Sequence, residues 1–129
     1  MNATKIIRLT ITALVLNLSI LSYASALTLS CKCQVSATRS SISVVGAGLK
    51  GKYWVILISG GVGKASLPKA ANASGVVKFD FDSNPVAIGA GARSIPAAYI
   101  KNNYVIVRLR EAVTNRLLGA VGPTCAVVK

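Results

Sequence analysis

Three cysteines, Cys31, Cys33 and Cys125, are the side chains best suited to covalent chemistry in this 129-residue sequence, which has no histidine and only three acids, Asp80, Asp82 and Glu111. Thiols at a C-x-C spacing pair as disulfides in an oxidising compartment, or hold a soft metal. Cys31 and Cys33 are two residues apart, so on an extended strand they share a face, and either can reach a last strand carrying Cys125. Cys33 has the parity of Val35 and Ala37, the inward candidates of the first strand. A Cys33–Cys125 bridge is therefore expected, with Cys31 as the spare thiol or alternative partner. A copper-binding reading of the C-x-C lacks the His or Met that completes a usual shell. Neither a metal site nor a cofactor is expected.

Other segments imitate active sites. Gly60-Gly61-Val62-Gly63-Lys64-Ala65-Ser66 resembles a phosphate loop, in which glycine amides close around phosphate beside a lysine. The spacing rejects it, because Ile58 stands where the leading glycine belongs and Ala65 stands where a hydroxyl would meet the metal. A hairpin turn accounts for the glycines. Asp80-Phe81-Asp82-Ser83-Asn84 opens like a calcium loop, but Pro85 replaces the required glycine and no distal Glu follows. Asp80 and Asp82 have the separation of any i, i+2 pair, with no cleft implied around them, and a cysteine nucleophile would have no histidine base. No catalytic residue is assigned, and the chain is expected not to be an enzyme.

The elements that would position these groups read as strands. Gly75 to Asp82 alternates, with Val77, Phe79 and Phe81 on one face and Lys78, Asp80 and Asp82 on the other. Tyr104 to Glu111 places Val105, Val107 and Leu109 inward and Arg108 and Arg110 outward, although Tyr104 and Ile106 share that outer face. Lys52 to Ser59 is apolar on both parities, as in a central strand covered on both sides. Further strands are predicted at Cys33–Thr38, Ser41–Ala47, Arg116–Val121 and Thr124–Val128, with short pieces at Ala65–Leu67 and Val86–Ile88. Ser94 to Lys101 is the one helical candidate, with Ser94 as cap and Pro96 in the first turn.

Turns at Gly60-Gly61, Asn72 to Gly75, Asn84-Pro85, Asn102-Asn103 and Gly122-Pro123 separate these runs. The pattern predicts an all-β fold, a small antiparallel β-sandwich. Its strand spacing resembles an immunoglobulin-like or fibronectin-like sandwich.

Lys5 and Arg8, the apolar run Leu9 to Leu21 and Ala24-Ser25-Ala26 follow the order of a cleavable signal peptide. Residues 1–26 are thus expected to be removed between Ala26 and Leu27, leaving 27–129 as a single domain, secreted or periplasmic. The uncharged stretch Leu9 to Cys31 could span a bilayer as an anchor, which takes roughly 20 residues. Asn17, Ser19, Ser22 and Ser25 make it mildly polar, which favours cleavage over an anchor, and no stable membrane span is expected after cleavage.

The formal charge of the whole chain is +12, and losing Lys5 and Arg8 with the leader leaves +10. That density favours anionic surfaces. The cations are dispersed, among them Lys64, Lys69, Lys78, Arg93, Lys101 and Arg116, but Lys50 with Lys52 and Arg108 with Arg110 are i, i+2 pairs that a strand would project from one face. These four are the candidate anion-binding residues. Few aromatics and an exported location count against nucleic acid as the main partner. The expected function is non-enzymatic: binding or decorating an anionic cell-envelope or extracellular surface. The alternatives are a structural subunit of a pilus-like or adhesin-like surface assembly, and soft-metal binding through the C-x-C.

Overall fold

The computed structural model describes residues 27–129; the predicted signal peptide lies outside the described residues. Strands β1 (Thr28–Val35), β2 (Ser40–Ala47), β3 (Lys52–Ser59), β4 (Val62–Ala65), β5 (Lys69–Ala70) and β6 (Val77–Asp82) come first. Helix α1 (Pro85–Gly89) follows, then β7 (Arg93–Ser94), β8 (Ile106–Glu111), β9 (Leu117–Val121) and β10 (Ala126–Val127). They form two sheets, so the fold is all-β. Sheet I runs β9-β8-β3-β4 with β5 also paired to β3, and sheet II runs β10-β1-β2-β6-β7. All pairs are antiparallel except two at the edges of sheet II, where β10 lies parallel to β1 and β7 parallel to β6.

Alternation dictates what each strand buries. Tyr53, Val55 and Leu57 of β3 and Val107 and Leu109 of β8 turn inward from sheet I. Ile42 and Val44 of β2 and Val77, Phe79 and Phe81 of β6 turn inward from sheet II, and all belong to one core cluster. Each large apolar side chain buried there contributes on the order of 1.5–3 kcal/mol. Gly46 also lies on the inward face of β2, where a Cβ would stand 2.8 Å from Leu49 Cδ1 and displace the tip of that side chain.

The hairpin expected after β3 is present, with Gly60 at φ +56° and Gly61 at φ +78°, the paired positive angles of a tight two-residue turn. Asn102 and Asn103, both at φ 55°, make a similar turn between Lys101 and Tyr104.

Two local predictions are overturned together. The short strand expected at Val86–Ile88 is helix α1, because the Asn84 side chain accepts hydrogen bonds from Val86 N at 2.8 Å and Ala87 N at 3.4 Å, and Pro85 opens the first turn. The helix expected at Ser94–Lys101 is absent. Arg93–Ser94 pairs with β6 instead, Pro96 to Tyr99 forms a turn, and Ile95, Tyr99 and Ile100 are drawn into the core. Two buried serines hold this crossing segment. Ser40 Oγ donates to Ala97 O at 2.6 Å; Ser59 Oγ donates to Tyr104 O and accepts from Lys101 N, each at 2.8 Å. Tertiary hydrogen bonds thus satisfy the backbone groups that helix formation would have paired.

The first strand also starts earlier than predicted, at Thr28, and stops at Val35, so Ala37 is exposed in the following bend rather than inward. At the far end of β6, Asp82 accepts two bonds from Arg39, Nε to Oδ1 at 2.9 Å and Nη2 to Oδ2 at 2.6 Å, and a third from Asn84 N at 2.9 Å. The Arg39 hydrogen bond, with help from the nearby backbone amides, holds the Asp82 carboxyl below its ordinary value despite its burial.

The Cys33–Cys125 bridge is formed, with Cα atoms 4.7 Å apart and both residues buried. It joins β1 to the chain entering β10, next to each other in one sheet. Breaking it releases a 92-residue separation, worth roughly 4–5 kcal/mol on the chain-entropy model. Cys125→Ser should therefore lower the unfolding free energy by about that amount, read as a fall in the denaturant midpoint. Asp82 gives a second expectation. Its folded-state pKa lies below the unfolded value of about 3.9, so its stabilisation is whole above that value and fades as pH falls through the folded one. Arg39→Ala should move acid unfolding, followed by tryptophan fluorescence, to higher pH.

Candidate anion-binding face

Arg108 and Arg110 lie at alternate positions of β8, opposite in parity to the buried Val107 and Leu109, so both leave the outward face of sheet I. Register fixes their neighbours. Arg110 stands between Leu117 of β9 and Trp54 of β3; Arg108 stands between Ala120 and Ile56, with Ala65 of β4 beyond. Ile106 pairs with Ile58, which pairs in turn with Gly63. The result is three rows in which two guanidinium groups rise among apolar side chains.

Trp54, Ile56 and Ile58 are half-buried, and Leu117 is 48% exposed. This corrects the expectation that β3 is covered on both sides: one face meets sheet II, and no described strand or helix forms a layer over the other. Apolar residues on both parities signalled a central strand, and sequence alone could not tell a covering layer from an open face.

Lys52 begins β3 on the same outward parity and is exposed. Lys50 does not join it on a strand. Gly51, at φ +95°, bends the chain between them, and the backbone of Lys50 is tied down by the Tyr53 hydroxyl, to which Lys50 N donates at 3.1 Å and which donates back to Lys50 O. Of the four predicted residues, the fold gathers Lys52, Arg108 and Arg110 on one face and leaves Lys50 in the β2–β3 loop. Arg110 Nη1 donates to Asn115 O at 2.8 Å, fixing its head over the β8–β9 hairpin.

The acids lie elsewhere. Asp80 and Asp82 belong to β6 of sheet II, where Lys78 approaches Asp80 at 4.0 Å and Arg39 pairs with Asp82. Glu111 ends β8 on the inward parity opposite Tyr53 and accepts from the Thr114 hydroxyl. Among the described residues, no carboxylate stands on the outward face of sheet I. The outward face of sheet II contrasts with it, its register setting Lys32 beside Ser43 and Asp80, and Gln34 beside Ser41.

Comparison with protein-family models, with curated proteins and with solved structures finds no match to this chain. An open cleft of about 500 Å³ lies between the β4–β5 edge of sheet I and the β6–β7 edge of sheet II. Its cations serve as braces. Lys69 Nζ donates to Lys78 O at 2.5 Å and lies 5.7 Å from the centre of the Phe79 ring, and Arg93 Nε donates to Ala65 O at 3.2 Å. The calcium-like stretch is divided among separate duties: Asp80 faces outward, Asp82 holds Arg39 and Asn84 caps α1.

With Cys33 and Cys125 joined, Cys31 is the free thiol among the described residues. It is inward in parity, partly buried and packed against the core, and burial pushes its pKa up to about 11. At pH 8 about one such thiol in a thousand is ionised, and the thiolate is the reactive form. A disulfide-exchange reagent at pH 8 should therefore label Cys31 at least about tenfold faster in denaturant than in the folded protein, the higher nucleophilicity of a high-pKa thiolate offsetting part of its scarcity. Equal rates would place the thiol in open solvent.

Proposed function

We propose that this chain is an exported, non-enzymatic protein that binds or decorates an anionic envelope or extracellular surface. Residues 1–26 act as a signal peptide cut before Leu27, and residues 27–129 form an immunoglobulin-like domain. The strand order supports the architectural part. β1, β2 and β6 lie together in one sheet and β3, β8 and β9 in the other, the distribution of strands A, B and E against C, F and G in that fold.

One observation carries the functional part: the separation of charge between the two outward faces. Lys52, Arg108 and Arg110 rise from sheet I without a carboxylate, while both ion pairs among the described residues belong to sheet II. In a processed protein of +10 formal charge, the whole chain's +12 less Lys5 and Arg8, such a face carries a positive potential and attracts anionic surfaces. The compartment agrees with the buried disulfide, since such bridges persist where conditions are oxidising. No helix among the described residues is long and apolar enough to cross a membrane.

The full chain, expressed with its own N-terminus and recovered after processing, should co-sediment with isolated cell envelopes at low salt and be released as ionic strength rises. Its intact mass should begin at Leu27. Absence of co-sedimentation at low salt overturns the proposal.

A further inference from the structure

We infer that the outward face of sheet I docks on an anionic lipid bilayer, with Trp54, Ile56, Ile58 and Ile106 entering the headgroup region and Arg108 and Arg110 meeting lipid phosphates. This rests on the envelope-binding reading and assigns it a surface and a chemistry. A purely polyanionic partner such as an acidic glycan would be met by cations and hydrogen-bond donors. Here the centre of the face is apolar: Ile56 lies beside Arg108, Trp54 beside Arg110, and Ile58 beside Ile106. Sheet II shows how this chain builds an outward face meant for water, with serines, lysine and an acid in register.

The physical logic is that of an interfacial amphipath. Tryptophan is favoured at the headgroup level because its ring is apolar and its N–H polar. Arginine stems lie along apolar surface while their heads reach phosphate. Anionic lipid supplies the opposite charge that the face lacks. A second copy of this chain fits poorly, since two such faces apposed would set Arg108 and Arg110 against their own equivalents with no carboxylate between them.

Trp54 is the chain's only tryptophan, so its emission reports this face alone. Phosphatidylglycerol vesicles added to the processed protein should shift that emission to the blue, whereas phosphatidylcholine vesicles and heparin should not. Arg108→Ser/Arg110→Ser should weaken partitioning into phosphatidylglycerol about thirtyfold, at roughly 1 kcal/mol for each cation near the surface. Ile56→Ser should weaken it about tenfold through lost apolar contact. Lys32→Ser, on the outward face of sheet II, should leave partitioning within about twofold of wild type, and unchanged thermal unfolding of every variant shows that the fold is intact.

Vesicle binding with unmoved Trp54 emission and full affinity in both sheet I variants overturns this face as the site while leaving envelope binding standing. Binding to heparin but not to phosphatidylglycerol transfers the envelope reading to a glycan and overturns the lipid assignment. A dimer in light scattering with Trp54 already blue-shifted without lipid assigns the face to a second copy and overturns it as well. Failure to bind envelopes, vesicles and heparin alike removes both proposals.

Discussion

Val55, Leu57, Val107 and Leu109 from one sheet and Ile42, Val44, Phe79 and Phe81 from the other share a single buried cluster, and everything else in the molecule is arranged around keeping them together. A strand offers its alternate side chains to opposite sides, so a two-sheet fold buries one face of each sheet and leaves two. The chain must then decide what each remaining face meets. Sheet II carries the composition expected in water. Sheet I carries a tryptophan and isoleucines beside two arginines, and the fold leaves these apolar side chains half-buried.

The crossing from β7 to β8 shows how the sheets are held in register at one end. Ile95, Tyr99 and Ile100 fill the space between them, and the Tyr99 hydroxyl lies 3.1 Å from Leu57 O and 2.8 Å from Val62 O. Ser40 and Ser59 supply polar partners where the segment turns. Each buried serine is matched, so the segment carries little cost in stranded backbone groups. The outward face of sheet I is thus mounted on β3 and β8, strands anchored on their inner side.

Much of this was legible in the sequence because alternation is a one-dimensional signal. Val77, Phe79 and Phe81 announced β6, and Lys52 to Ser59 matched β3 to the residue. The Cys33–Cys125 bridge was expected and is formed, although Cys31 shares the parity of Cys33 and the choice between them rests on where the last strand pairs. What escaped was set by contacts distant in sequence. Ser94 and Pro96 have the types of a helix start, yet Ser40 and Ser59, bonded to groups 57 and 42 residues further on, decide the shape of the segment. Asn84-Pro85 has the residue types of a turn, yet the same residues cap and open a helix. At the candidate site, Arg108 and Arg110 declared their outward parity, whereas the openness of the face beneath them depends on a layer count that no local pattern encodes. Gly51 separated Lys50 from Lys52 through a backbone angle invisible in a spacing rule.

The placement of Cys125 also imposes an order of events. Its partner precedes it by 92 residues, and at the usual pace of synthesis of 5–20 residues per second that stretch takes on the order of ten seconds to appear. Throughout that interval Cys33 has Cys31 two positions away and its native partner not yet made. The hairpins β1–β2 and β3–β4 are local and form in microseconds once their residues emerge. In the folded sheet the pleat of β1 turns both thiols inward, and the edge that receives β10 places Cys125 beside Cys33 rather than Cys31. Topology can thereby do the work of a selective oxidant, the choice between two thiols resting on which one the last strand can reach.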